Sequence, residues 1–85
     1  MTDRSTLTPR ELAASAGIST DTLRYYERRG VLQSPARTPA GYRRYPASAA
    51  ARLALVRRAL AIGFSIKDLA RVFREREAGG NTGGR

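Results

Sequence analysis

The 85-residue sequence contains no cysteine and no histidine. Without cysteine there is no disulfide framework and no thiol nucleophile, and without either residue there is no thiolate or imidazole metal site. Both absences fit a reducing cytosol, and no cofactor is expected. Acidic residues are also scarce, seven against sixteen basic ones. Seven scattered carboxylates with no histidine offer no nucleophile–base constellation, so an enzyme is not expected. Long apolar runs are missing as well. No stretch approaches the roughly 18 residues a membrane span requires. Met1-Thr2-Asp3-Arg4-Ser5-Thr6 lacks the apolar segment of a signal peptide, so a cytoplasmic protein with no membrane partner is expected.

What the chain does carry is positive charge, a net +9. Lys67 is the one lysine; arginine supplies the rest. Such a balance favours a polyanionic partner, and the planar arginine fork matches phosphate and guanine edges in a way lysine does not. A GC-rich genome also enriches arginine, so charge alone leaves a plain solvated surface as an equal reading. The length fits one domain. A chain this short buries only about 60% of the surface its unfolded form exposes, so caps and turns must contribute to stability.

Punctuation along the chain predicts four helices. Thr8-Pro9-Arg10-Glu11 reads as a helix start, with Thr8 as cap, Pro9 in the first position and Glu11 completing a capping box. Gly17 ends that helix, Ser19 caps a second from about Thr20 to Arg29, and Gly30 stops it. Two short helices around Gly17-Ile18-Ser19 make a helix-turn-helix pattern, although a plain helical hairpin gives the same signal. Val31-Leu32 reads as a short strand or extended exit. A third helix begins near Ala47 or Ser48 and ends at Gly63, with Ala49, Leu53, Val56 and Leu60 in one stripe and Arg52 largely away from it. Ser65 caps a fourth, whose stripe is Ile66, Leu69, Ala70 and Phe73. Both stripes are assigned to packing. Residues 1–6 are expected to be disordered, residues 7–77 to form the domain, and residues 78–85 to be a flexible glycine-rich tail.

Between the helix pairs lies Arg37-Thr38-Pro39-Ala40-Gly41-Tyr42-Arg43-Arg44-Tyr45-Pro46. Pro39 and Gly41 mark a turn, and the flanks are short enough to pair as a two-stranded ribbon. Alternation places Arg43 and Tyr45 on one face and Tyr42 and Arg44 on the other. This ribbon is a candidate wing; a solvated basic loop pinned by one tyrosine is the bland alternative. On the second helix, Thr20, Asp21, Arg24 and Arg28 share a face that would look into a major groove. Tyrosine hydroxyls and arginines there hold phosphates without reading sequence. Asp21 serves the helix N-terminus or, less favourably, accepts from a cytosine amino group.

These residues resemble the N-terminal domain of the MerR family of bacterial transcription regulators. The matching segments are Glu11-Leu12-Ala13, Gly17-Ile18-Ser19 and Thr22-Leu23-Arg24-Tyr25-Tyr26-Glu27-Arg28-Arg29-Gly30-Val31-Leu32. Arg37-Thr38, Gly41-Tyr42-Arg43, Tyr45, Leu60 and Gly63-Phe64-Ser65-Ile66 continue the match. The likeness spans about residues 7–77. It implies a mainly α, four-helix winged helix-turn-helix with a two-stranded wing. It further implies that the second helix enters the major groove, that the wing touches the flanking backbone, and that the loop before the last helix adds phosphate contacts. The implied DNA-binding set is Thr20, Thr22, Arg24, Tyr25 and Arg28 from the helix, with Arg37, Tyr42, Arg43 and Arg44 from the wing. Arg43 is the principal wing contact in this set. Tyr26 is partly structural, and Tyr45 is read as packing.

The implied partner is double-stranded promoter or operator DNA, at the nucleoid, and the implied function is transcription regulation by underwinding and bending an overlong promoter spacer. RNA polymerase at the promoter and a second copy on an adjacent half-site are further implied partners. Members of the family continue into a long antiparallel helix and an effector region. Here Gly79-Gly80-Asn81-Thr82-Gly83-Gly84 stands instead, with no visible seat for a metal, drug or oxidant. An excisionase-like architectural protein that bends DNA beside a recombinase shares the fold and size. A general polyanion binder is the third reading, but RNA recognition prefers exposed aromatic platforms.

Overall fold

The computed structural model describes residues 6–83. In chain order the elements are β1 (Thr6–Leu7), α1 (Pro9–Ser15), α2 (Thr20–Arg29), β2 (Ala36–Arg37), β3 (Arg43–Pro46), α3 (Ser48–Ala61) and α4 (Ile66–Gly83).

Local chemistry sets the helix-turn-helix. Thr8 Oγ1 accepts from the Glu11 amide at 3.1 Å, and the Thr8 amide donates back to Glu11 Oε1 at 2.9 Å. Two amides that the start of α1 leaves without intrahelical partners are thus satisfied reciprocally. After α1, Gly17 takes φ +69°, and the Ile18 amide closes back onto the Ala13 carbonyl at 3.1 Å. At the end of α2, Gly30 takes φ +86° while the Val31 amide reaches the Tyr26 carbonyl at 3.1 Å. Both closures need a left-handed residue, which glycine adopts without steric cost. The second delivers Val31 and Leu32 directly into the core as a buried plug without strand pairing.

The wing has three strands rather than two. Its order is β1-β3-β2, all antiparallel, with Leu7 opposite Tyr45 and Arg37 opposite Arg43. The expected ribbon is β2 with β3. The addition is β1, which pairs Thr6 with Pro46 and so moves Thr6 out of the expected disordered N-terminus; residues 1–5 lie outside the described residues. The physical reason is the second edge of β3. Its inner residue Tyr45 is buried, and backbone groups beside the core require partners.

Behind the sheet, α3 buries Ala49, Leu53, Val56 and Ala59, with Leu60 only half-buried, so the stripe turns slightly from the expected one. In α4, Leu69, Ala70 and Phe73 face the same core. Arg52, expected to lie off the α3 stripe, instead stacks over the Phe73 ring at 4.1 Å and reaches the Val31 carbonyl at 3.5 Å. Its stem covers apolar surface while its charge meets an aromatic face.

The helix α4 also runs further than the glycines lead one to expect. The sequence places a tail from Ala78, whereas the helical backbone continues to Gly83; residues 84 and 85 lie outside the described residues. Glycine costs about 1 kcal/mol per helical position relative to alanine, a penalty rather than a stop, and extending an existing helix adds one hydrogen bond per residue. Among the described residues, no helix is long and apolar enough to cross a membrane.

Candidate nucleic-acid interface

The α2 helix is built with one side for the core and one for solvent. Leu23 and Tyr26 are buried, three residues apart, which leaves Asp21, Arg24, Tyr25, Arg28 and Arg29 exposed. Ser19 caps its N-terminus: Ser19 Oγ accepts from the Thr22 amide at 3.1 Å and also donates to Thr22 Oγ1 at 3.1 Å. Thr22 is therefore half-buried and tied into the cap, and Thr20 beside it is also half-buried. Asp21 lies in the first turn, where a carboxylate complements the helix dipole. Tyr25 leans on Tyr26 with ring centroids 6.1 Å apart and planes at 50°, and the Arg29 guanidinium lies 5.9 Å from the Tyr25 ring. Its ring is thus braced at 39% exposure, available to a partner yet held in place.

In the wing, strand alternation sorts the side chains. Tyr42, just before β3, is the most exposed tyrosine at 71%. Arg44 lies half-buried and donates to Thr6 Oγ1 from Nη2 at 2.7 Å and Nε at 3.2 Å. Arg37 is exposed and donates from Nη1 to the Gly41 carbonyl at 3.0 Å, fastening the turn. Thr38 Oγ1 accepts from the Tyr42 amide at 3.1 Å across that turn. An open groove between the wing and the start of α1 is lined by Arg37, Tyr42, Arg43 and Arg44 together with Thr8, Pro9, Thr38 and Gly41.

On the inner face of β3 the structure places Arg43 differently from its expected role as the principal outward contact. Its Nη2 donates to Glu27 Oε1 on α2 and to the Tyr45 hydroxyl at 2.9 Å. The Tyr45 hydroxyl in turn donates to Glu27 Oε2. Glu27 and Arg43 side chains are 9% and 20% exposed, so the ion pair is largely shielded from water. The Tyr45 hydroxyl and the Glu27 carboxylate raise the Arg43 pKa, so the guanidinium stays charged. Burial, helped by the bond to Glu27, pushes the Tyr45 phenol above its ordinary range. Tyr45 is buried, as the packing reading expects.

The triangle has a topological consequence. Glu27 lies one turn along α2 from Arg24, and residues three apart on a helix are surface neighbours. Bonding Arg43 to Glu27 therefore brings the wing to the side of α2 that carries Arg24.

Glu27 is the residue that reading the sequence left without a role. Its signal was there, since Arg43 and Tyr45 share a strand face and need an acceptor. A second basic surface joins Arg28, expected at the DNA, to residues given no role: a groove between the end of α2 and α4, lined by Arg28, Arg29, Lys67, Ala70, Arg71 and Arg74. At the head of α4 the Ser65 amide donates to Asp68 Oδ2 at 3.2 Å, and Ser65 Oγ accepts from the Asp68 amide at 3.0 Å. Bonding to Ser65, through its side chain and then its backbone, holds the Asp68 carboxyl below its ordinary range. Among the described residues there is no group of three or more His, Cys, Asp or Glu side chains that could hold a metal ion.

Comparison with known proteins gives consistent matches. A family model described as MerR HTH family regulatory protein matches residues 7–76. A mercuric resistance operon regulatory protein of Bacillus cereus is 39% identical over 59 residues, 69% of this chain and 45% of that protein. The HTH-type transcriptional regulator ZntR of Escherichia coli K12 is also 39% identical over 59 residues, 69% of this chain and 42% of that protein. Among solved structures, HiNmlR, described as a MerR family regulator lacking the sensor domain and bound to promoter DNA, superposes with a TM-score of 0.71. It is 34% identical, and the match covers 79% of this chain and 53% of that one. The chain thus spans about half the length of these relatives.

Proposed function

The chain belongs to the MerR HTH family of regulatory proteins, a family of regulators rather than enzymes, and from that premise we propose how it takes hold of promoter DNA. Arg24, Tyr25 and Arg28 of α2 enter the major groove, whose width admits a helix. Thr20 and Thr22 stand at the leading end of α2, where their hydroxyls come close to the same strand. From the wing, Tyr42, Arg37 and Arg44 meet the flanking phosphates. Arg43 contributes through its position behind the wing and through its charge.

The single observation that supports this reading is the bond between Glu27 and Arg43, which ties the wing strand to the helix that carries exposed Arg24. A phosphodiester rail is a polyanion of matching chemistry, and each neutralised phosphate releases condensed counterions. HiNmlR, described as bound to promoter DNA without a sensor domain, supports a promoter as the target.

Regulation on this reading works through the shape of the duplex. A helix in the major groove and a wing on the flank grip two places at once, so binding favours a bent and underwound promoter. Bending and untwisting a site costs a few kcal/mol, which the extra phosphate contacts offset. RNA polymerase is then the partner that reads the changed promoter, and a second copy on an adjacent half-site raises the affinity of each.

The test is a footprint of the purified chain on genomic DNA. Protection of one promoter spacer, with enhanced cleavage at its centre, is the expected result. Protection of repeated sites at a recombination locus would point to an architectural DNA-bending protein instead. Failure to retain any duplex overturns the reading.

A further inference from the structure

Among the described residues, every hydrogen bond that joins α2 to β3 ends on Glu27. The helix packs on α1 and α4, whereas β3 packs on α1 and α3. The helix and the wing strand thus share α1 as a support but differ in the second, α4 or α3, and one carboxylate bridges them directly. Both of its oxygens are engaged, Oε1 by Arg43 and Oε2 by the Tyr45 hydroxyl, and Arg43 and Tyr45 are bonded to each other. This is a closed triangle, in which a shift of any member disturbs two bonds.

We infer that Glu27 is a positioning residue for DNA binding, fixing the wing against the recognition helix so that both meet one duplex without reorganisation. The inference rests on the reading of the site as a DNA interface. Glu27 itself does not touch the nucleic acid; a carboxylate there would repel phosphate, and its side chain is only 9% exposed. Its effect reaches DNA through Arg44, Tyr42 and Arg37, whose placement follows the strand that Glu27 holds. A pre-placed wing lowers the ordering cost of association, and affinity rises accordingly.

Glu27 could keep Arg43 from phosphate, and its removal would then strengthen binding. The geometry weighs against this. Tyr45, the other donor to the carboxylate, is 1% exposed and anchored in the core, and it also bonds Arg43 at 2.9 Å, so the guanidinium is held from two directions. Removing the carboxylate leaves a shielded cation with half its partners rather than a free phosphate ligand.

The experiment uses the full chain and a duplex selected by the wild type from a random-sequence pool. Affinities are measured for wild type, Glu27→Gln, Arg44→Ala and the double variant, with folding of each checked by circular dichroism. Glu27→Gln is nearly isosteric but turns an amide donor toward either Arg43 or the Tyr45 hydroxyl. It is expected to bind roughly tenfold more weakly, and Arg44→Ala is expected to cost less in its background than in the wild type, because residues acting through one unit are not additive. A merely structural role for Glu27 would lower thermal stability and leave the Arg44→Ala penalty unchanged. Tyr45→Phe, which keeps the ring and drops the hydroxyl, should move affinity the same way by less. Tighter binding by Glu27→Gln, or equal Arg44→Ala penalties in both backgrounds, overturns the inference while leaving the DNA-binding reading in place. If the wild type selects no duplex at all, that reading falls, and this one with it.

Discussion

The Arg43 guanidinium of the wing is bonded to the Glu27 carboxylate of α2, one helical turn from exposed Arg24. Two arginines of the same nominal class thus have different surroundings. Arg24 projects into solvent, whereas Arg43 is shielded and doubly bonded, to Glu27 and to the Tyr45 hydroxyl.

That difference separates their variants. Arg24→Ala should weaken specific binding by about 1–3 kcal/mol, the discrimination of one bidentate base contact, and leave the melting temperature unchanged. Arg43→Ala should lower stability by about 1–3 kcal/mol, because it strands a nearly buried carboxylate. For a domain of this size, each kcal/mol corresponds to about 4–8 °C in Tm. Thermal melts beside DNA titrations separate the two; a melting temperature unmoved by Arg43→Ala would contradict the shielded pair.

Backbone gripping carries a salt signature. If each copy neutralises roughly five phosphates, the slope of log affinity against log salt should be about −4 to −5. Replacing Arg37 or Arg44 by alanine should reduce the steepness by about one. A slope near zero would remove phosphate from the interface.

Tyr45 makes stability depend on alkaline pH. Its folded-state pKa is raised above the ordinary 10.0, chiefly by burial and then by the bond to Glu27. The folded state therefore prefers the neutral phenol. Its contribution is complete below pH 10.0, shrinks as pH rises above that value, and is lost on passing the folded-state pKa. Urea unfolding between about pH 9 and about pH 11 should show this loss, and Tyr45→Phe should show less of it. An identical alkaline dependence in the two proteins would contradict the assignment.

Much of the architecture was legible because it rests on local chemistry. Thr8 with Glu11, Ser19 before α2, and the left-handed turns at Gly17 and Gly30 each mark a boundary through interactions within a few residues. What was not legible depends on partners far apart in the chain. Thr6 and Leu7 are too short for a period-two pattern, and only Tyr45 and Pro46, some forty residues later, make them a strand. The role of Glu27 needs Arg43 and Tyr45, 16 and 18 residues further along the chain. Periodicity placed Arg43 and Tyr45 on one face correctly, but it carries no information on what that face meets. The extent of α4 escaped for a different reason, since glycine counts as a breaker by propensity while an established helix continues through it at moderate cost.

On this account α2 and the wing hold one duplex from the same side. The most direct measurement is an amide NMR titration of the chain with a selected duplex, following every backbone resonance. The expected result is concerted shifts across residues 20–28 and 37–44, with Leu53 and Val56 of the buried α3 face unmoved. Shifts confined to α2 while the wing stays silent, or centred on the far ends of α3 and α4, would contradict it.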